Sequence, residues 1–153
     1  MTNPTINQLK VGDKAPSFTG NSHTEASISL NSYLNKKNVI LAFYPKDDTP
    51  GCTKEMCSFS ENLLAFEAKN TVVLGISLDN VDSHSKFAQK YNLNQQLLAD
   101  ENGSIAKLFG VLPEGKNTAN RVLFIIDKTG TILNIIEGMP NTQEILDLLE
   151  SHK

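Results

Sequence analysis

Four apolar runs dominate the pattern of the chain: Val39–Tyr44, Val72–Leu78, Leu97–Ala99 and Val122–Ile126. Runs without polar alternation mark strands that are covered on both faces. The first run stops at Pro45. Helical spacing begins after Pro50-Gly51 and recurs in Ser83–Tyr91, Ser104–Phe109 and Thr142–Leu149. Strands that alternate with helices predict βαβ units and parallel pairing. The last two strands differ, because Val122–Ile126 and Thr131–Ile136 are joined by Asp127-Lys128-Thr129-Gly130. Such turn chemistry predicts an antiparallel hairpin. The segment Val11–Phe18 reads as the edge where the chain joins the domain. The expected fold is α/β, a central mixed sheet flanked by helices with the hairpin at one end. One domain over residues 1–153 is expected, with the polar stretch Met1–Leu9 loosely ordered.

Composition narrows the functional classes. A chain of 153 residues suits one full-sized core, and 39% apolar with 20% charged residues fits an ordinary globular protein. Net charge is −3 and the lysines are scattered, which gives no electrostatic footprint for nucleic acid. The N-terminus lacks the basic and apolar regions of a signal peptide, and no run approaches the length of a membrane span. The expected compartment is the cytoplasm, where thiols stay reduced. Cys52 and Cys57 then read as catalytic, redox-sensing or inert rather than as a structural disulfide.

Three motifs carry less than they promise. Gly110–Asn117 nearly spells a phosphate-binding loop, but Asn117 stands where a Ser or Thr hydroxyl would hold magnesium. It reads as a surface loop. His23, His84 and His152 are far apart, and Cys52 and Cys57 offer one pair where zinc wants two. Those histidines read as solvated or capping. Asp47-Asp48 reads as a solvated turn.

The chemistry concentrates in Phe43–Cys57. Met56, Phe59, Leu63 and Phe66 have the spacing of one helix face, and Cys52 lies on that stripe one turn earlier. It therefore faces inward from the first turn, where unpaired N–H groups and the helix dipole favour thiolate below the usual pKa of about 8.5. Pro50 needs no N–H at a helix start, and Gly51 permits close approach of the backbone. The plain alternative is a small core residue. Cys57 is about 140° round the helix, with its Cα about 8.6 Å from that of Cys52. A disulfide tolerates roughly 7 Å. Pairing would thus require the first turns to unwind; a bystander cysteine is the alternative. The spacing Cys-x4-Cys is not the Cys-x-x-Cys of a disulfide-exchange enzyme. Arg121 is the only arginine among 14 basic residues and opens a buried strand. A fixed, permanently charged fork of donors beside a thiolate would explain it; an accidental surface arginine is the alternative.

The string Pro45-x-x-x-Thr49-x-x-Cys52 resembles the active-site signature of the peroxiredoxins, and Phe43–Cys57 resembles their bacterioferritin comigratory protein (PrxQ) subgroup. The likeness extends through Val11–Phe18, Gly75–Asp79, Ser83–Phe87, Leu98–Asp100 and Phe109–Val111. Arg121 falls ahead of Phe124–Asp127, where the family's arginine would be. This resemblance implies a thioredoxin-like fold and a thiol-specific peroxidase acting on hydrogen peroxide and organic hydroperoxides. It implies that Cys52 is oxidised to a sulfenic acid and that Cys57 resolves it as a disulfide. Thr49, the Cys52 N–H and Arg121 would bind peroxide, Pro45 would shield the pocket, and Glu55 and Gly51 would support it. Thioredoxin, or glutaredoxin, would recycle the disulfide, with no metal, haem or flavin, and the molecule would be a monomer. Gly115–Asn120 departs from the family pattern. A thiol–disulfide reductase on the same fold, a stoichiometric redox sensor and a chaperone-like role are the rival classes.

Overall fold

A computed structural model describes residues 9–24 and 26–152, so most of the segment expected to be loose, Met1–Leu9, lies outside the described residues. Seven strands form one sheet: β1 (Thr19–Ser22), β2 (Ser27–Ser29), β3 (Asn38–Phe43), β4 (Thr71–Ser77), β5 (Gln96–Ala99), β6 (Val122–Ile126) and β7 (Ile132–Glu137). Their order is β2-β1-β5-β4-β3-β6-β7. The central pairs β3–β4 and β4–β5 are parallel, whereas β6 runs antiparallel to β3 and forms the expected hairpin with β7. The helices are α1 (Pro50–Glu61), α2 (Leu63–Ala68), α3 (Val81–Tyr91), α4 (Ser104–Leu108) and α5 (Thr142–Ser151).

Strand periodicity explains the apolar runs. Val39, Leu41 and Phe43 of β3 pack into one core with Phe18, Phe109 and Phe124. Ile40, Ala42 and Tyr44 alternate to the other face, against Met56 and Phe59 of α1, Phe66 of α2, Phe87 of α3 and Leu146 of α5. A strand with successive side chains in opposite cores has no solvent face to mark with polar residues. The first part of the Val11–Phe18 segment runs along the β7 edge of the sheet, where Gly12 N–H donates to Ile132 O, Ala15 N–H donates to Gly130 O and Lys14 bridges Thr131, while Phe18 turns into the core.

The stripe Met56, Phe59, Leu63 and Phe66 is not one helix face. It breaks between α1 and α2 at Asn62, whose side-chain Nδ2 donates to Ser58 O at 2.8 Å. A side chain that bonds its own backbone offers the chain an alternative to helix. The N-terminal hairpin β1–β2 and the 3-10 turn at Leu30–Tyr33 carry no comparable apolar pattern. Gly110–Asn117 follows α4 and leads towards β6, as a loop with Glu114–Asn117 exposed. Among the described residues no helix is long and apolar enough to cross a membrane.

Candidate active site

The sheet order decides which residues meet. β3 and β4 are parallel, so they end at one edge of the sheet, and Tyr44 N–H continues their ladder to Ile76 O. Because β6 is antiparallel to β3, with Phe43 opposite Val122, it starts at that same edge. Arg121, the residue before β6, therefore stands beside the loop that carries the chain from β3 into α1.

Cys52 occupies the third position of α1, after Pro50 and Gly51, and is 1% exposed. Thr49 caps the helix through its backbone alone. Its hydroxyl donates to Lys46 O at 2.9 Å, its carbonyl accepts the Thr53 N–H at 2.8 Å, and it makes no side-chain cap. The Cys52 amide is thus a first-turn N–H not covered by that hydroxyl, at the positive end of the helix. Arg121 reaches in from the side: Nη2 donates to Cys52 Sγ at 3.4 Å and Nη1 donates to Glu55 Oε1 at 2.5 Å. Gly51 makes this possible. A Cβ there would stand 3.0 Å from Arg121 Nη2 and 3.7 Å from the Met139 methyl carbon.

Burial of Glu55 pushes its carboxyl up to about 7, with the Arg121 hydrogen bond and charge opposing the rise. Burial alone pulls the Arg121 guanidinium down, but its bonds to Glu55 and Cys52 outweigh that and hold it above its usual value. The guanidinium is a permanent charge whose two arms are committed to the thiol and to a carboxylate.

Of the residues singled out in the sequence, the structure brings Cys52, Arg121, Glu55 and Gly51 into one contact group. Thr49 and Pro45 lie on the adjoining loop, Thr49 and Pro45 both half-buried. Cys57 is half-buried on α1, and neither cysteine is in a disulfide. Burial first and the Glu61 charge second raise the Cys57 thiol. The intact helix keeps the two Cα atoms about 8.6 Å apart.

Two expectations are overturned. Asp47 is not in a solvated turn and His84 is not solvated: they are 7% and 0% exposed and pair at 2.7 Å between Oδ2 and Nδ1. Asp48 points the other way, to Lys90 Nζ at 2.9 Å and Tyr91 Oη at 2.8 Å. The apolar positions Phe87, Ala88 and Tyr91 follow His84 at i+3, i+4 and i+7, which places the histidine on the buried stripe of α3. That spacing was the available signal.

Comparison with known proteins gives a consistent answer. The AhpC/TSA family model matches residues 11–135. A Coxiella burnetii protein named as a peroxiredoxin bcp is 44% identical over 130 residues, covering 81% of this chain and 85% of its own. The crystal structure of peroxidoxin BcpB from Mycobacterium tuberculosis superposes with a TM-score of 0.89 at 30% identity, covering 95% of this chain and 99% of the other. That of a Xylella fastidiosa PrxQ Cys-to-Ser mutant gives 0.88 at 29% identity, covering 95% and 98%. These likenesses establish the thioredoxin-like fold.

Proposed function

Because the chain belongs to the AhpC/TSA family and is a thiol peroxidase of the bcp/PrxQ type, we propose that Cys52 is its peroxidatic residue and Cys57 its resolving residue. The observation that carries this reading is the buried Cys52 Sγ within 3.4 Å of a guanidinium whose other arm is fixed on Glu55.

The Cys52 thiolate attacks the terminal oxygen of the hydroperoxide. The O–O bond breaks, an S–O bond forms, and the departing alkoxide or hydroxide takes one proton, leaving Cys52 as a sulfenic acid. Arg121 and the Cys52 N–H supply preorganised positive charge where the negative charge develops. The Thr49 hydroxyl has spent its proton on Lys46, so its oxygen is left to accept the O–H of the substrate. Pro45, half-buried on the loop, limits water around the thiolate. The Cys57 thiol then attacks the sulfenic sulfur, expelling water and forming the disulfide, which requires the first turn of α1 to open. Thioredoxin, or glutaredoxin, returns both thiols by exchange. We take the enzyme to act in the cytoplasm as a monomer, a single domain. The large exposed apolar side chains Val11, Leu34, Leu64 and Met139 lie on four separate segments of the chain, which supports the monomer.

The test is NADPH consumption with thioredoxin, thioredoxin reductase and hydrogen peroxide. Cys52→Ser abolishes peroxide reduction altogether. Cys57→Ser reduces one equivalent of peroxide and then stops cycling. Full turnover in either variant would overturn the corresponding assignment.

A further inference from the structure

The loop between β3 and α1 is tied to the body of the protein by a buried network that the chemistry at Cys52 does not use. Asp47 is its centre. Its Oδ1 accepts from Tyr44 Oη at 2.6 Å, and its Oδ2 accepts from Ser83 Oγ at 2.8 Å and faces His84 Nδ1 at 2.7 Å. Its backbone N–H donates to Asp79 Oδ2 at 2.8 Å, an oxygen that also accepts from Ser77 Oγ. On the far side of the imidazole, Nε2 lies 2.9 Å from Leu98 O. A carbonyl can only accept, so Nε2 carries a proton. Nδ1 faces a carboxylate oxygen, so a second proton lies between those two atoms. The Asp47–His84 pair is therefore net neutral and holds its shared proton in a charge-assisted bond, wherever along 2.7 Å that proton sits. His84 is fully buried, Tyr44 is fully buried, and both Asp47 oxygens are satisfied. Removing the Tyr44 hydroxyl leaves the buried Asp47 Oδ1 unpaired.

The network spans four elements. Tyr44 and Asp47 follow β3, Ser77 and Asp79 close β4, Leu98 lies in β5, and Ser83 and His84 belong to α3. One residue further along the loop, Asp48 adopts φ 58°, a left-handed conformation, while Lys90 and Tyr91 at the end of α3 hold its carboxylate. The loop is thus fastened to α3 at two points, inside and out. It is also hydrogen-bonded to the turn that carries Cys52, since Thr49 gives its hydroxyl proton to Lys46 O and its carbonyl accepts from Thr53.

We infer that Asp47 and His84 form a buried latch that holds the Pro45–Thr49 loop, and through it the first turn of α1, in the peroxide-reactive arrangement, and that release of this latch sets how fast Cys52 reaches Cys57. The inference rests on the resolving role of Cys57. Cys52 is five residues from the Asp47 anchor and needs its upstream chain to move before it closes the gap to Cys57. A tight latch prolongs the life of the sulfenic acid; a loose one shortens it. Asp47 and His84 are positioning residues, since neither touches the reacting atoms.

Asp47→Asn tests this. The carboxamide keeps the shape and the Tyr44 bond but removes the charge facing the imidazole. In a quenched single-turnover time course read by mass spectrometry, the variant forms the Cys52–Cys57 disulfide about tenfold faster, the scale of one charged hydrogen bond. With excess peroxide, less of its Cys52 is lost to sulfinic acid. A merely structural defect slows both steps and does not protect the thiol. Disulfide formation within twofold of wild type, or slower, would overturn the latch. Hydrogen exchange of the reduced wild-type protein gives a second reading that needs no variant. The amides of Asp47 and Thr53 open together, with protection equal within about threefold. A Thr53 amide that opens without Asp47 overturns the coupling. A wild type that makes no Cys52–Cys57 disulfide overturns the role of Cys57 and with it the kinetic part of the latch, while the exchange measurement still decides whether loop and turn move as one.

Discussion

Gly51→Ala separates the stability of this peroxiredoxin from the position of its arginine. The built Cβ falls 3.0 Å from Arg121 Nη2, so the guanidinium must retreat a few tenths of an ångström. It has little freedom to do so, because Nη1 is held 2.5 Å from Glu55 while Nη2 spans 3.4 Å to Cys52 Sγ. The sulfur contact is the longer one and yields first. A hydrogen bond to a charged partner is worth about 1.5–3 kcal/mol, which converts to roughly 10- to 150-fold in rate. The helix itself gains from the change: glycine to alanine at a compatible helical position stabilises by about 0.4–1 kcal/mol. The expected variant therefore melts at or above the wild-type temperature, while its second-order rate of thiol oxidation by hydrogen peroxide falls at least tenfold. Circular dichroism and a single-turnover thiol assay measure the two. A rate within twofold of wild type, at unchanged or higher Tm, would refute the claim that the Arg121–Cys52 contact carries reactivity. A clear loss of Tm would mean that the backbone, not the guanidinium, moved.

Glu55 gives the pH prediction. Its folded value of about 7 lies above the ordinary 4.5, so the folded state binds that proton more tightly. Its contribution to stability is fully present below about pH 4.5 and is lost as pH rises through 7, in total about 3 kcal/mol. Urea titrations at pH 5 and pH 8 therefore show a smaller difference for Glu55→Gln than for wild type; equal differences would refute it. The same substitution removes an inflection near pH 7 from the kcat/KM profile for peroxide, since an ionised Glu55 fixes the arginine and a neutral one holds it less firmly. Gly75→Ala probes the core beneath the site. Its Cβ would meet Leu97 Cδ2 at 2.8 Å and Met56 Sδ at 3.0 Å. Overpacking of this kind costs about 1–3 kcal/mol, read as a lowered urea midpoint, and Leu97→Val added to it restores part of the loss.

How far the sequence reaches depends on where each residue's partner lies. β3 and β4 were legible because burial on both faces leaves a local, unbroken apolar run. β1 and β2 were not: Thr19–Ser22 alternates between exposed and buried with small polar residues, and its buried Ser22 is paid for by a hydroxyl bond to Gln96, some seventy residues away. Asn62 gave no sign of ending α1, since an asparagine inside a helical pattern breaks it only when its side chain finds the backbone. Arg121 stood out by its uniqueness, yet its contact with Cys52 depends on the antiparallel register of β6 against β3, which no local pattern contains.

Asp47 and His84 sharpen the point. Each taken singly is a polar residue of a kind that usually meets water, and an adjacent pair of aspartates looks like a solvated turn. What buries one and not the other is the convergence of β3, β4 and β5 on a single sheet edge, with α3 laid across it. The same edge holds the second charged pair, Arg121–Glu55, whose guanidinium also reaches the thiol. The two pairs face opposite demands. Arg121 and Glu55 touch Cys52 or its neighbour in α1 and stabilise the helix-bound thiol that meets peroxide. Asp47 and His84 instead tie the loop upstream to α3, β4 and β5, so they govern whether that helix turn stays. A protein whose nucleophile must first be held and then released needs these functions on separate groups, because a single pair strong enough to activate the thiol would also forbid its escape. Exchanging the charge on one pair should therefore move peroxide reactivity, and on the other the partition between disulfide and over-oxidation, with little crossover between the two readouts.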